Sequence, residues 1–242
     1  MRVLILGGTT EASAIARALA DDRRFNPVLS LAGRTRSPAK PPIPWRVGGF
    51  GGVAGLTDYL QREGMQALID ATHPFAARMK ANAAQVAIPR VVVLRPAWLA
   101  QPGDDWSLVP NMQAAAEALG HRPRQVFLTV GQGELAVFGP PHRYLVRSVD
   151  PPPDAPVGAT IITARGPFTE GDDRALMQSH AIDTLVTKNS GGSAVASKLA
   201  AARALGVRVI MVDRPPPPAG VVVRDAAGAL AWLHAQAALR GV

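Results

Sequence analysis

Short β-branched runs alternate with Ala-rich stretches along almost the whole chain, and this alternation restricts the fold more than any other feature. Strand-like runs fall at 2–6, 27–31, 67–71, 90–94 and 106–109, then again at 125–130, 143–149, 160–163, 184–187, 207–212 and 221–223. Helix-like stretches fall among them, at 10–20, 56–63, 75–87, 112–119, 134–138, 172–179, 194–205 and 226–238. The Pro- and Gly-rich segment 41–52 reads as a loop. Strands separated by helices pair in parallel through right-handed crossovers.

The two halves resemble each other. Leu68-Ile69-Asp70-Ala71-Thr72-His73-Pro74 leads through an Ala-rich helix to Arg90-Val91-Val92-Val93-Leu94-Arg95-Pro96. Leu185-Val186-Thr187-Lys188-Asn189-Ser190-Gly191 leads through another to Arg208-Val209-Ile210-Met211-Val212-Asp213-Arg214-Pro215. Each half then closes with a Pro-containing loop, a short strand and an Ala-rich helix. The expected fold is α/β: two Rossmann-like parallel-sheet domains, at 1–120 and 121–242, with the active site in the cleft between them. The equivalent terminal strand-helix units could also be exchanged between the two sheets.

Composition narrows the class. The chain has 242 residues, 48% of them hydrophobic, which is enough to fill two modest cores. It has no Cys, so disulfides and Cys-ligated metal sites are excluded. The five His show no metal-ligand spacing, and no metal is expected. No apolar run approaches the roughly 20 residues that span a bilayer, and the N-terminal run is too short for a signal peptide. A cytoplasmic, monomeric protein without membrane or nucleic-acid partners is the expectation. The net charge of +8 attracts anions. Nearly all of that charge is Arg, which grips carboxylate and phosphate through paired hydrogen bonds.

The strand ends carry the candidate chemistry. The first strand opens into Gly7-Gly8-Thr9-Thr10-Glu11 and a helix. Glycines let phosphate oxygens approach the backbone, and the helix start offers unpaired N–H donors. The second strand ends in Gly33-Arg34-Thr35 without the acid that a NAD site places there. Arg34 and Thr35 suit a 2′-phosphate instead, so NADPH is the expected cofactor. Thr72, His73 and Pro74 follow the third strand and should face cofactor or substrate.

In the second half, Lys188, Asn189, Ser190, Gly191 and Gly192 form another anion cradle. Thr129 and Gly131 lie in a similar turn, and Arg147 and Arg214 sit at or just beyond strand ends. These residues are the expected contacts for substrate carboxylates, with solvent, His73 and Lys188 as the candidate proton sources. The Tyr/Lys pair of short-chain dehydrogenases, the P-loop and the G-x-S-x-G elbow are all missing.

Several segments resemble those of precorrin-6A reductases, in the same order and over nearly the whole chain. They are Ile5-Leu6-Gly7-Gly8-Thr9-Thr10-Glu11-Ala12, Asp70-Ala71-Thr72-His73-Pro74-Phe75-Ala76, Arg95-Pro96-Ala97-Trp98, Gly166-Pro167-Phe168 and Val186-Thr187-Lys188-Asn189-Ser190-Gly191-Gly192. The resemblance implies a cobalamin-pathway oxidoreductase. Such an enzyme uses NADPH to reduce one double bond of a polycarboxylate tetrapyrrole, precorrin-6A, to precorrin-6B. Many relatives carry Asp where this chain has Asn189. Three alternatives stand beside it. One is an NADH-dependent cobalt-precorrin-6A reductase. Another is a reductase of a smaller carbonyl or imine, and the last a non-enzymatic nucleotide-sensing module.

Overall fold

The computed structural model describes residues 1–33, 40–217 and 219–241. The chain begins with β1 (Arg2–Leu6), α1 (Thr10–Leu19), β2 (Asn26–Leu31), β3 (Trp45–Val47) and α2 (Val53–Arg62). β4 (Ala67–Asp70), α3 (Ala77–Ala84), β5 (Arg90–Val93), β6 (Trp106–Val109) and α4 (Met112–Glu117) follow. Next come β7 (Gln125–Leu128), β8 (Arg143–Ser148), β9 (Thr160–Thr163) and α5 (Glu170–Ser179). β10 (Thr184–Lys188), α6 (Ser197–Leu205), β11 (Arg208–Val212), β12 (Val221–Val223) and α7 (Ala226–Ala238) complete it. Two compact units result, one of residues 1–96 with 215–242 and the other of 97–214.

The first unit holds a parallel sheet of order β12-β5-β4-β1-β2-β3. Central β1 pairs with β2 and β4. Val3 and Ile5 face one core with Ile15 and Leu19 of α1 and Leu233 of α7. Leu4 and Leu6 face the other, with Leu56 and Leu60 of α2 and Ala83 of α3. Burial on both faces explains why these strands read as unbroken apolar runs rather than as alternation.

The second unit holds a parallel sheet of order β6-β11-β10-β7-β8-β9. Phe127, Leu145, Leu185, Val209 and Met211 pack there against Met177 of α5 and Leu199 of α6. Position by position the two orders match, with β7 to β11 standing where β1 to β5 stand. β6 stands where β12 stands, so each half sends its last strand into the other half's sheet. The units therefore do not divide at residue 120. Residues 97–120 carry β6 and α4 into the second unit, and 215–242 carry β12 and α7 into the first.

Two local features differ from the sequence reading. β3 lies within the expected loop, on the sheet edge beside β2. It is only three residues long and Pro44 precedes it, which hides the strand signal. Residues 134–138 form turns rather than a helix. The Leu135 N–H there goes to the Asp154 carboxylate at 2.9 Å, and Pro140 and Pro141 follow closely. Among the described residues, no helix is long and apolar enough to cross a membrane.

Leu233 of the exchanged α7 is fully buried in the first unit's core. Leu233→Ala should destabilise that unit by about 2–5 kcal/mol. Hydrogen exchange should show the lost protection in β1, β4 and β5, while β7 and β10 amides keep theirs.

Candidate active site

In an open parallel sheet, ligands lodge at the carboxyl edge where the strand order reverses direction. In the first unit that point lies between β1 and β4. The Gly7 N–H donates to the Ser30 carbonyl at 2.9 Å. A Cβ on Gly7 would sit 2.6 Å from a Leu29 methyl, whereas Gly8 has φ +112 and open space around it. One glycine lets the turn pack closely, and the other takes a backbone conformation that a side chain would strain. Thr9 caps α1, accepting from the Ala12 N–H at 3.2 Å. Its hydroxyl also donates to the Ala71 carbonyl at 2.7 Å, tying the first turn to the end of β4.

An acid at this edge would repel an incoming anion, but Glu11 is paired with Arg95 at 3.1 Å. Burial pushes the Glu11 carboxyl up. Its own backbone N–H, the Arg95 charge and the Thr10 hydroxyl outweigh that push and hold it below the ordinary range. Thr9, Glu11, Thr72, Pro74, Val93 and Arg95 together line a shallow recess.

Asp70, fully buried at the end of β4, holds the next turn. Its Oδ1 accepts from the Thr72 hydroxyl at 2.6 Å, the Thr72 N–H at 3.1 Å and the Lys80 ammonium at 3.3 Å. Burial pushes the Lys80 pKa below its usual value, and the Asp70 charge opposes the shift. His73 Nδ1 accepts from the Phe75 N–H at 3.3 Å, so a neutral ring carries its proton on Nε2.

Gly33 turns at φ +76 beside Val47, but Arg34 and Thr35 lie outside the described residues. Arg46 on β3 is a cation at this edge that the sequence reading missed. It donates to the Ser30 hydroxyl at 2.7 Å and the Gly48 carbonyl at 2.9 Å, with its guanidinium over the Phe50 ring.

The second unit repeats the arrangement between β7 and β10. Lys188 at the end of β10 is paired with Glu134, which also accepts from the Gly131 N–H at 3.2 Å. The ion pair thus ties the turn after β7 to the end of β10. The Thr129 hydroxyl donates to the Val186 carbonyl at 3.3 Å. Gly191 and Gly192 have φ +66 and +79. The buried Asn189 amide spans the Trp98 backbone, accepting its N–H at 2.8 Å and donating to its carbonyl at 3.1 Å. The Trp98 indole N–H then donates to the Gly192 carbonyl at 2.8 Å. Arg214 donates to the Asn189 carbonyl at 2.6 Å, bringing it to this loop.

Ser190 follows in the same loop, with its N–H to the Lys188 carbonyl at 2.6 Å. Arg147 is occupied within the unit. It is paired with fully buried Asp173, and its guanidinium lies 3.7 Å from the Phe168 ring centre. Asp173 also accepts from the Ser197 hydroxyl at 2.6 Å. Neither Glu134 nor Arg95 carries a role in the sequence reading. Arg95 belongs to the Arg-Pro-Ala-Trp segment, whereas no local signal marks Glu134.

Residues 2–234 match the family described as Precorrin-6x reductase CbiJ/CobK. The Precorrin-6A reductase of Rhodobacter capsulatus is 49% identical over 241 residues, which cover 96% of this chain and 95% of that protein. A solved structure described as CobK precorrin-6A reductase superposes with a TM-score of 0.91 at 48% identity, covering 98% of this chain and 97% of that one. The Cobalt-precorrin-6A reductase of Priestia megaterium is more distant, at 33% identity over 66% of this chain and 69% of that protein. A match of this length, on a sheet pair whose two carboxyl edges carry glycine turns, means that the chain belongs to the Precorrin-6x reductase CbiJ/CobK family.

Proposed function

We propose that this chain is a precorrin-6A reductase that uses NADPH to reduce one double bond of the macrocycle. The observation that carries the reading is near-full-length similarity to proteins of that name, at up to 49% identity. The metal-free substrate is favoured over the cobalt form because the cobalt-precorrin-6A reductase is the more distant relative.

The first unit's residues suit the cofactor. Gly8 leaves room at the turn for a phosphate oxygen, and the first-turn N–H groups of α1 lack intrahelical acceptors. Gly7, Gly8, Thr9 and Thr10 would hold the pyrophosphate, with the Glu11 charge offset by Arg95. Gly33, Arg34 and Thr35 would take the 2′-phosphate, supported by the absence of an acid at the end of β2. Thr72, His73 and Pro74 would flank the nicotinamide. Bound NADPH supplies the hydride.

The second unit's cradle would take acetate and propionate carboxylates. Thr129, Gly131, Lys188, Ser190, Gly191, Gly192 and Arg214 are its contacts, while Asn189 and Arg147 hold the loops that present them. One ring carbon receives the hydride and its neighbour a proton. Two groups hold protons at the carboxyl edges: the Lys188 ammonium beside Glu134, and His73 at Nε2. The protein's part is to position, orient and exclude water, because the cofactor carries the chemistry.

Anaerobic incubation of the purified protein with precorrin-6A and NADPH tests the reaction. Joint loss of absorbance from both is expected, and turnover of simple carbonyl compounds with none of precorrin-6A would overturn the reading. Arg34→Ala should weaken NADPH binding by about 1–3 kcal/mol and NADH binding much less. Equal weakening of both would remove Arg34 from the 2′-phosphate. Lys188→Ala should raise the KM for the macrocycle more than that for NADPH. Arg147→Leu, by contrast, should lower stability by about 3–5 kcal/mol because Asp173 is left buried and unpaired, as denaturant titration would read.

A further inference from the structure

The second unit contains a cavity of about 470 Å³ that the reduction does not use. Gln125, Arg143 and Thr160 place it at the amino ends of β7, β8 and β9. Four residues of strand, at about 3.3 Å each, put Gln125 about 13 Å from Thr129 at the carboxyl edge. Its size falls within the roughly 300–1,000 Å³ of cavities that hold small ligands.

Arg143 gives the lining one cation, set among polar side chains. His142, Arg143 and His180 face it with Gln125 and Thr160, and no Asp or Glu lines it. Arg143 and His180 enter no ion pair among the described residues. Asp183, next to Ile182, is engaged by the Gln125 N–H at 3.0 Å, the Thr184 hydroxyl at 2.6 Å and Arg124 at 3.7 Å. His142 Nδ1 is buried and has no hydrogen-bond partner among the described residues. An unpaired buried polar atom costs about 1–3 kcal/mol, so a partner supplied from outside is rewarded. The Arg143 guanidinium attracts an anion, while burial pushes the His142 pKa below its usual value. Leu145 and Ile182 add an apolar wall, which suits an organic anion better than a bare inorganic one.

We infer that this amino-edge cavity binds the carboxylate of a small organic anion. The carboxylate lies against the Arg143 guanidinium, with its carbon body against Leu145 and Ile182 and the His142 and His180 rings beside it. Such a carboxylate comes either from a free acid or from an arm of a second tetrapyrrole.

The full-length protein is titrated with benzoate, and separately with an octacarboxylate porphyrin, while the ring-proton NMR signals of His142 and His180 are followed. Saturable shifts of both signals are expected, with affinity at least tenfold weaker in Arg143→Gln and unchanged in Lys188→Ala. Benzoate saturation assigns the site to free acids. Saturation by the porphyrin alone, still lost in Arg143→Gln, assigns it to a macrocycle arm. No saturable shift with either probe, or equal affinity in Arg143→Gln, overturns the inference. Reductase turnover in Arg143→Gln should stay at the wild-type level, whatever becomes of the proposed reaction chemistry.

Discussion

Parallel pairing of β1 with β2 on one side and β4 on the other is the constraint from which the first unit follows. Parallel strands need a crossover between each pair, so every strand ends at the same edge and every helix begins there. With both faces of β1 buried, the remaining place for polar chemistry is that edge. Thr9 makes this concrete, because one hydroxyl group caps α1 and closes on the carbonyl that follows β4. The two turns proposed to hold the nucleotide are thereby fixed to each other.

The second unit meets the same geometric demand with different chemistry. Where the first unit joins its turns through a neutral hydroxyl, the second joins them through the Lys188–Glu134 ion pair. That difference matches the proposed ligands. The proposed pyrophosphate site rests on backbone N–H groups, of which the Thr9 cap takes one, that of Ala12. The carboxylate arms proposed for the second unit would meet an ammonium whose position Glu134 restrains. Each unit also buries a further pair beneath its edge, Lys80–Asp70 in one and Arg147–Asp173 in the other. Such pairs contribute little net stability but are costly to break. They hold the Thr72 turn and the α5–α6 region in one arrangement.

Sequence made the strand-helix alternation legible because strands covered on both faces are apolar throughout, and their ends are marked by glycine. Gly8, Gly191 and Gly192 could be read as turn residues because their backbone angles leave few other choices. β3 escaped notice because three residues carry no period, and Trp45 pairs with Leu29, 16 residues away in sequence. The roles of Asn189 and Arg147 escaped it for another reason. Each is decided by a partner distant in sequence, Trp98 at 91 residues and Asp173 at 26. Residue type said that both could meet an anion. Only the packed structure shows that backbone amides and a buried carboxylate reach them first. Glu134 is the converse case, an ordinary acid until β10 brings Lys188 to it.

The strand exchange has a consequence for synthesis on the ribosome. Residues 1–96 emerge early, yet their sheet lacks β12 and their core lacks α7 until residues 221–238 have been made. Nascent β5 therefore waits with one bare edge while some 120 further residues are added. Residues 97–214 have all their strands in hand at Val212, nine residues before β12 begins. The vectorial order of assembly thus runs against the order of the gene, with the amino-terminal sheet sealed last.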